Sequence, residues 1–337
     1  MTGVIQKICL ACLVLAMLAS CAAPGPAPAP SGRERESAVL ARTADYMLVR
    51  VNQGDTLESL AQWYLGDVSH AWILARVNRT DRVAEGDEIL VPTKPVFLGG
   101  LDKGGYQRVP VLLYHNFSEK TATRMTMPRA TFDAQMRYLA ENGYTTITLD
   151  RLLDFIRYEK PLPPKSVAIT IDDGWRSTYT IAWPVLKKYG HVATLFLYTD
   201  FVGGDRAMTW AQLREIDKNG IDVQNHSKTH RKVTLRKAGE SMRGYVDALV
   251  EEIAEPHREI MRNLGKEPRH LAYPYGDTNP LFSTMVEGMG YRSAFTATRG
   301  ANAFYTDRYH LGRSVVYGDW GMERFKKTLD VYREAAP

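Results

Sequence analysis

The residues with chemistry to offer fall in three short clusters. Asp172 and Asp173 end the apolar run Val167-Ala168-Ile169-Thr170-Ile171 and are followed by Gly174. His226 and His230 bracket His226-Ser227-Lys228-Thr229-His230, and Tyr273-Pro274-Tyr275-Gly276 follows His270-Leu271-Ala272. Two imidazoles and a carboxylate make a donor set for a divalent cation, and a second carboxylate beside them can move a proton. Each cluster alone also has a plainer meaning. Asp-Asp-Gly makes turns, a histidine pair at this spacing fits an exposed helical face, and Pro with Gly makes rigid loops.

The elements that must position these groups are legible. The β-branched run before Asp172 suits a strand buried on both faces, and α/β folds keep their chemistry at the carboxyl ends of such strands. Neighbouring strand residues point to opposite faces, so the two carboxylates diverge unless the chain bends, which Gly174 permits. The two histidines, placed on one helical turn, would face the same way. Further strands are expected at 109–115, 144–149 and 193–198, and the stretch 221–230 is read as placing the two histidines at the carboxyl end of another. Helices are expected around Phe132, Met136 and Leu139, around Leu152, Leu153 and Ile156 with Asp150 as cap, and over 181–189 and 210–218. This alternation predicts parallel βα units.

In order and content the three clusters resemble the motifs of the polysaccharide deacetylases of carbohydrate esterase family 4, the NodB-homology group, over roughly residues 108–337. The resemblance implies an α/β fold, a distorted (β/α) barrel, and a metal-dependent hydrolase that removes acetyl groups from N-acetylglucosamine-containing polysaccharide. It implies Asp172 as general base, and Asp173, His226 and His230 as ligands to a metal, usually zinc, with cobalt or nickel as alternatives. The Tyr275 backbone N–H would stabilise the oxyanion, and Tyr273, Pro274 and Tyr275 would line the substrate site. Two departures stand out. Tyr273 occupies the place where the family commonly has a base-orienting arginine, and no late Leu-x-His follows Gly276; His310 has the wrong context. Both resemble the subgroup acting on poly-β-1,6-N-acetylglucosamine, in which a strand-end histidine is the acid, here His115 in Tyr114-His115. Asp319-Trp320 fits either the family's fourth motif or an exposed loop.

The amino-terminal third has another character. Lys7 precedes an apolar stretch over 8–19, too short to span a bilayer comfortably, and Leu18-Ala19-Ser20-Cys21 resembles a bacterial lipobox. Residues 1–20 are therefore expected to be a signal peptide and Cys21 a lipidated first residue. This implies export and lipid anchoring in the bacterial envelope, with the outer membrane facing the periplasm as the expected location. Cys9 and Cys12 would leave with the leader, so no disulfide forms within the mature chain. Residues 21–44, rich in Pro and Ala, read as an extended tether. Residues 45–93 read as β-α-α-β and resemble the LysM module, with Gly54, Asp55, Thr56 and Asn78 at its glycan-binding groove, implying peptidoglycan or a related chain as partner. A Gly-rich linker, 94–107, joins it to the larger domain.

Composition excludes little but is consistent. The 43 basic residues are dispersed among 38 acidic ones, with no dense basic run, which gives no case for nucleic acid. Besides the deacetylase, two function classes fit: an inactive glycan-binding anchor, and a non-haem iron oxygenase built on a two-histidine, one-carboxylate triad.

Overall fold

The computed structural model describes residues 38–93, 99–102 and 104–334. Cys21 and the expected leader lie outside the described residues. The chain divides into two compact units at residues 96 and 97. No helix of the described residues is long and apolar enough to cross a membrane.

In the smaller unit, strands β1 (Val39–Arg42), β2 (Tyr46–Arg50) and β3 (Glu88–Pro92) form an antiparallel sheet in that order, with helices α1 (Leu57–Leu65) and α2 (Ala71–Asn78) between β2 and β3. Met47, Val49, Leu60, Leu74, Ile89 and Val91 form its core. The stretch read as tether thus ends in a strand, because Val39–Arg42 can pair the free edge of β2 and bury Ala38. Thr56 caps α1 through a reciprocal bond pair with Ser59.

The larger unit alternates strands and helices: β4 (Val109–Tyr114), α3 (Arg129–Glu141), α4 (Leu149–Ile156), β5 (Ser166–Asp173), α5 (Trp183–Lys188), β6 (Ala193–Leu197), α6 (Trp210–Asp217), β7 (Ile221–Asn225), α7 (Met242–Leu264), β8 (His270–Ala272), α8 (Pro280–Gly288), β9 (Ser293–Phe295), β10 (Ala301–Asn302) and β11 (Ser314–Val315). The sheet runs β9-β8-β7-β6-β5-β4-β10, with β11 also on β4; all pairs except β4–β10 are parallel. It curls as a distorted barrel does. Residues 311–316 lace its edges: Leu311 N donates to Ala294 O at 3.0 Å on one side, and Val316 N to Leu113 O at 2.9 Å on the other.

Period-two alternation decides which side chains reach the site. Val167, Ile169 and Ile171 of β5 pack outward under the helices with Met136, Val185 and Leu213. Ala168 packs inward with Val111, Phe196, Phe295 and Leu311. Asp172 continues the inward row of β5, and His115 continues the inward row of β4 that runs through Val109 and Val111. Tyr273, just past β8, follows the outward row with Leu271 and Phe282.

Two local expectations are corrected. The stretch 144–149 supplies only a two-residue strand, because Thr148 caps α4, whose first residue is Leu149. Asp150 is not that cap. At the amino-terminal end of β8 its carboxylate instead accepts from Arg292 at 2.7 Å and from Arg269, and meets His270 Nε2 at 3.2 Å.

The bond to His270, helped by Arg269 and Arg292 and opposed by burial, holds the Asp150 carboxyl below its usual range. A depressed carboxyl contributes stability above its unfolded pKa of about 3.9 and loses it as pH falls through the folded value. Asp150→Ala should lower unfolding free energy by about 2 kcal/mol at neutral pH. In denaturant titrations, the gap between variant and parent should narrow below about pH 4.

Candidate active site

A cavity of about 400 Å³ opens at the carboxyl ends of the strands, lined by His115, Asp172, Asp173, His226, His230 and Arg313 among others. The loops after β4, β5, β7 and β8 all contribute to it, so the three sequence clusters do converge.

Asp173, His226 and His230 each present a ligand atom within 4.8 Å of the others. His226 Nδ1 is 2.8 Å from the Ala272 carbonyl and donates to it, which leaves the Nε2 lone pair facing the cavity. Burial lowers the His226 pKa, so the ring is neutral, as a ligand must be. His230 Nε2 lies 3.6 Å from Asp173 Oδ1. The other Asp173 oxygen accepts from Trp175 Nε1 at 2.9 Å, turning Oδ1 toward the histidines. This donor set fits a divalent cation with open positions.

The bend after β5 begins one residue earlier than expected. Asp173 itself has φ +81°, which turns its carboxylate toward the same cavity as Asp172. Nor do the histidines sit on a helical turn. They lie in a loop in which Ser227 and His230 have φ +74° and +59°. Buried Glu252 of α7 holds that loop: its carboxylate accepts from Lys228 N at 3.0 Å, Thr229 N at 2.9 Å and Thr229 Oγ1 at 2.6 Å. Of the six non-glycine residues with positive φ among those described, Asp173, His230 and Tyr275 line this cavity, and Ser227 lies buried in the histidine loop behind it.

Asp172 is 2% exposed and carries the residue the sequence seemed to lack. Arg313 donates to its two oxygens at 2.6 and 2.9 Å, and its Nε donates to Thr296 O at 3.0 Å. Burial raises the Asp172 carboxyl, but Arg313, with His226 and His115, outweighs burial and leaves it below the ordinary carboxylate range. Burial likewise lowers His115, opposed only in part by Asp172 and Asp173, so this imidazole rests neutral.

Tyr275 is 62% exposed, with its ring edge-on to His230 at 4.6 Å, and lines the cavity. Gly276 is required beside it: at φ +72°, a Cβ would lie 2.4 Å from the Ala297 backbone. Tyr273 and Pro274 do not reach the cavity. Tyr273 is fully buried with its hydroxyl donating to Tyr309 O at 3.0 Å, following its outward parity. His310 bonds Asp307 and Trp320 is buried; neither lines the cavity. In the smaller unit Gly54 makes a left-handed turn, Asp55 accepts from Asn52 N, and Asn78 exchanges bonds with the Leu90 backbone.

Arg313 and Glu252 were missed, yet both break a local pattern. Arg313 interrupts Leu311-Gly312-Arg313-Ser314-Val315-Val316, and Glu252 falls on the face of α7 that buries Tyr245, Leu249, Ile253 and Ile260. Arg313→Ala should leave a buried, uncompensated carboxylate and cost about 3–5 kcal/mol in chemical denaturation. Adding Asp172→Asn to that variant should recover part of the loss.

Residues 159–294 match the polysaccharide deacetylase family, a span that includes the metal-type triad, Asp172 and Tyr275 but neither His115 nor Arg313. YxkH of Bacillus subtilis, classed by name with the polysaccharide deacetylases, is 29% identical over 206 residues, covering 61% of this chain and 70% of YxkH. A poly-β-1,6-N-acetyl-D-glucosamine N-deacetylase of Staphylococcus aureus is 24% identical over 230 residues, 66% of this chain and 78% of its own. Among solved structures, the Streptococcus pyogenes deacetylase PplD superposes with a TM-score of 0.61 at 20% identity, over 66% of this chain and 98% of PplD. The larger unit of the chain thus contains a stretch, residues 159–294, that matches the polysaccharide deacetylase domain.

Proposed function

We propose that this protein removes acetyl groups from N-acetylglucosamine residues of an envelope polysaccharide, exopolysaccharide or peptidoglycan, in a reaction that depends on a divalent metal, with zinc the best match. The observation that carries this reading is one cavity holding Asp173, His226 and His230 beside a buried Asp172 kept ionised by Arg313. The domain match and the substrate named for the Staphylococcus aureus relative support it.

When bound by Asp173, His226 and His230, the cation would polarise the acetamide carbonyl and acidify water. Asp172 is the base that takes the proton released on attack. Arg313 fixes both its oxygens, so its free lone pairs face the cavity. His115 rests neutral, so it serves as acid only after receiving a proton, and the carboxylate on the same cavity wall is the group able to supply it. The relay therefore runs from water to Asp172, to His115, to the leaving amine. The Tyr275 backbone N–H is the oxyanion donor in this reading. An inactive anchor drew its support from the missing arginine and the missing late histidine, roles that Arg313 and His115 take in this reading. A held base beside the triad serves hydrolysis and has no place in an oxygenase.

The smaller unit, in the same proposal, is a LysM-type module that binds N-acetylglucosamine chains; its strand, two helices and closing strand support this. Lipidation at Cys21 would hold both units at the envelope.

Chelation of the full-length protein should abolish acetate release, and zinc or cobalt should restore it; full activity after exhaustive chelation sinks the reading. Asp172→Asn should keep its metal by elemental analysis and lose about 10²-fold or more in rate. His115→Ala should slow amide cleavage by a similar factor, yet slow an acetylated phenol much less, since that leaving group departs without a proton. Equal loss on both substrates would remove His115 as the acid.

A further inference from the structure

Tyr317 and Met125 form one wall of the cavity. Trp320 packs edge-on against Tyr317, ring centroids 5.1 Å apart. Three guanidiniums from three separate segments gather on this pair of rings. Arg124 lies 4.6 Å over Tyr317 and donates to its hydroxyl at 3.2 Å. Arg324, from the short helix α9 (Met322–Lys326), lies 4.9 Å over Trp320, and Arg299 lies 5.6 Å from the same ring. The Arg124 loop is tied to this wall by Gly318 N donating to Arg124 O at 3.4 Å.

All three arginines are exposed, and none forms an ion pair among the described residues. Here the nearby acids offset little. Glu323 is engaged by Lys326, and Asp319 is the one acid whose charge is felt at Arg124. Contact with aromatic rings holds the guanidiniums in place, and apart from the Arg124 bond to Tyr317 it leaves N–H groups free for the two parallel bonds by which arginine binds carboxylates.

We propose that this arginine-edged rim binds carboxylate groups carried by the glycan, so that the protein acts on an acidic N-acetylglucosamine polymer in preference to a neutral one. The inference rests on the deacetylase reading and narrows its substrate class. The acid could be the lactyl carboxylate of a muramic sugar or the ring carboxylate of a uronic sugar; the chemistry recognised is the same.

The test compares three tetrasaccharides with the zinc-loaded full chain: neutral N-acetylglucosamine tetramer, N-acetylglucosamine alternating with N-acetylmuramic acid, and N-acetylglucosamine alternating with glucuronic acid. At low salt, kcat/KM for at least one acidic oligomer should exceed that for the neutral one by about tenfold, and added salt should erase the difference. Activity on both acidic oligomers marks a general carboxylate site; activity on one identifies the source. The triple variant Arg124→Gln, Arg299→Gln, Arg324→Gln should lose the preference through KM, with kcat and the neutral substrate unchanged. Equal values for all three oligomers in the parent, or a preference that survives the triple substitution, overturns the proposal. Should no oligomer release acetate, the deacetylase reading fails on its own. Calorimetric binding of the same oligomers then decides the rim: tighter acidic binding that the triple variant lacks supports it, and equal binding overturns it.

Discussion

A carboxylate buried inside a barrel would ordinarily take up a proton, since removing an ion from water costs several kcal/mol. Asp172 stays ionised because Arg313 meets both of its oxygens in the parallel geometry that two planar, opposite ions prefer. Arg313 is itself held by the Thr296 carbonyl and lies over the Phe196 ring at 5.2 Å. Buried pairs of this kind generally add little stability over apolar packing, and what this one provides is a charged, immobile acceptor beside three metal-type ligands.

Around that pair, the loops adopt backbone conformations that side chains rarely take. Positive φ at Asp173, Ser227, His230 and Tyr275 is tolerable because each turn is over-determined by its surroundings. Glu252 satisfies two backbone N–H groups of the histidine loop, Asn225 Oδ1 accepts from Ser227 N at 2.7 Å, and Trp175 fixes Asp173. The strained loops are thus supported by rigid strands and by the middle of a long helix, and the functional atoms inherit that rigidity.

The sequence disclosed the alternation of strands and helices and the triad because both rest on local signals: apolar runs, their period, and carboxylates or imidazoles at strand ends. It misplaced what depends on conformation or on distant segments. The helical turn proposed for His226 and His230 failed because spacing alone cannot distinguish a turn of helix from a loop with two left-handed residues. Tyr273 looked like a substrate contact through its motif neighbours, but strand parity sends it into the core. The partner of Asp172 was sought next to Pro274 and comes instead from Arg313, far along the chain. No local pattern announces such a contact except a charge set among apolar neighbours.

Asp172 and Arg313 are 141 residues apart, and Arg313 rides on the strip that joins the barrel's first and last strands. Closing so large a loop carries an entropic cost that the contacts of the docked strip must offset. Until that strip docks, Asp172 has no guanidinium, and burial would neutralise it. The molecule therefore completes its buried Asp172–Arg313 pair and its barrel together. A chain that has not yet delivered this final stave holds the three metal-type ligands on their loops but lacks the guanidinium that fixes Asp172.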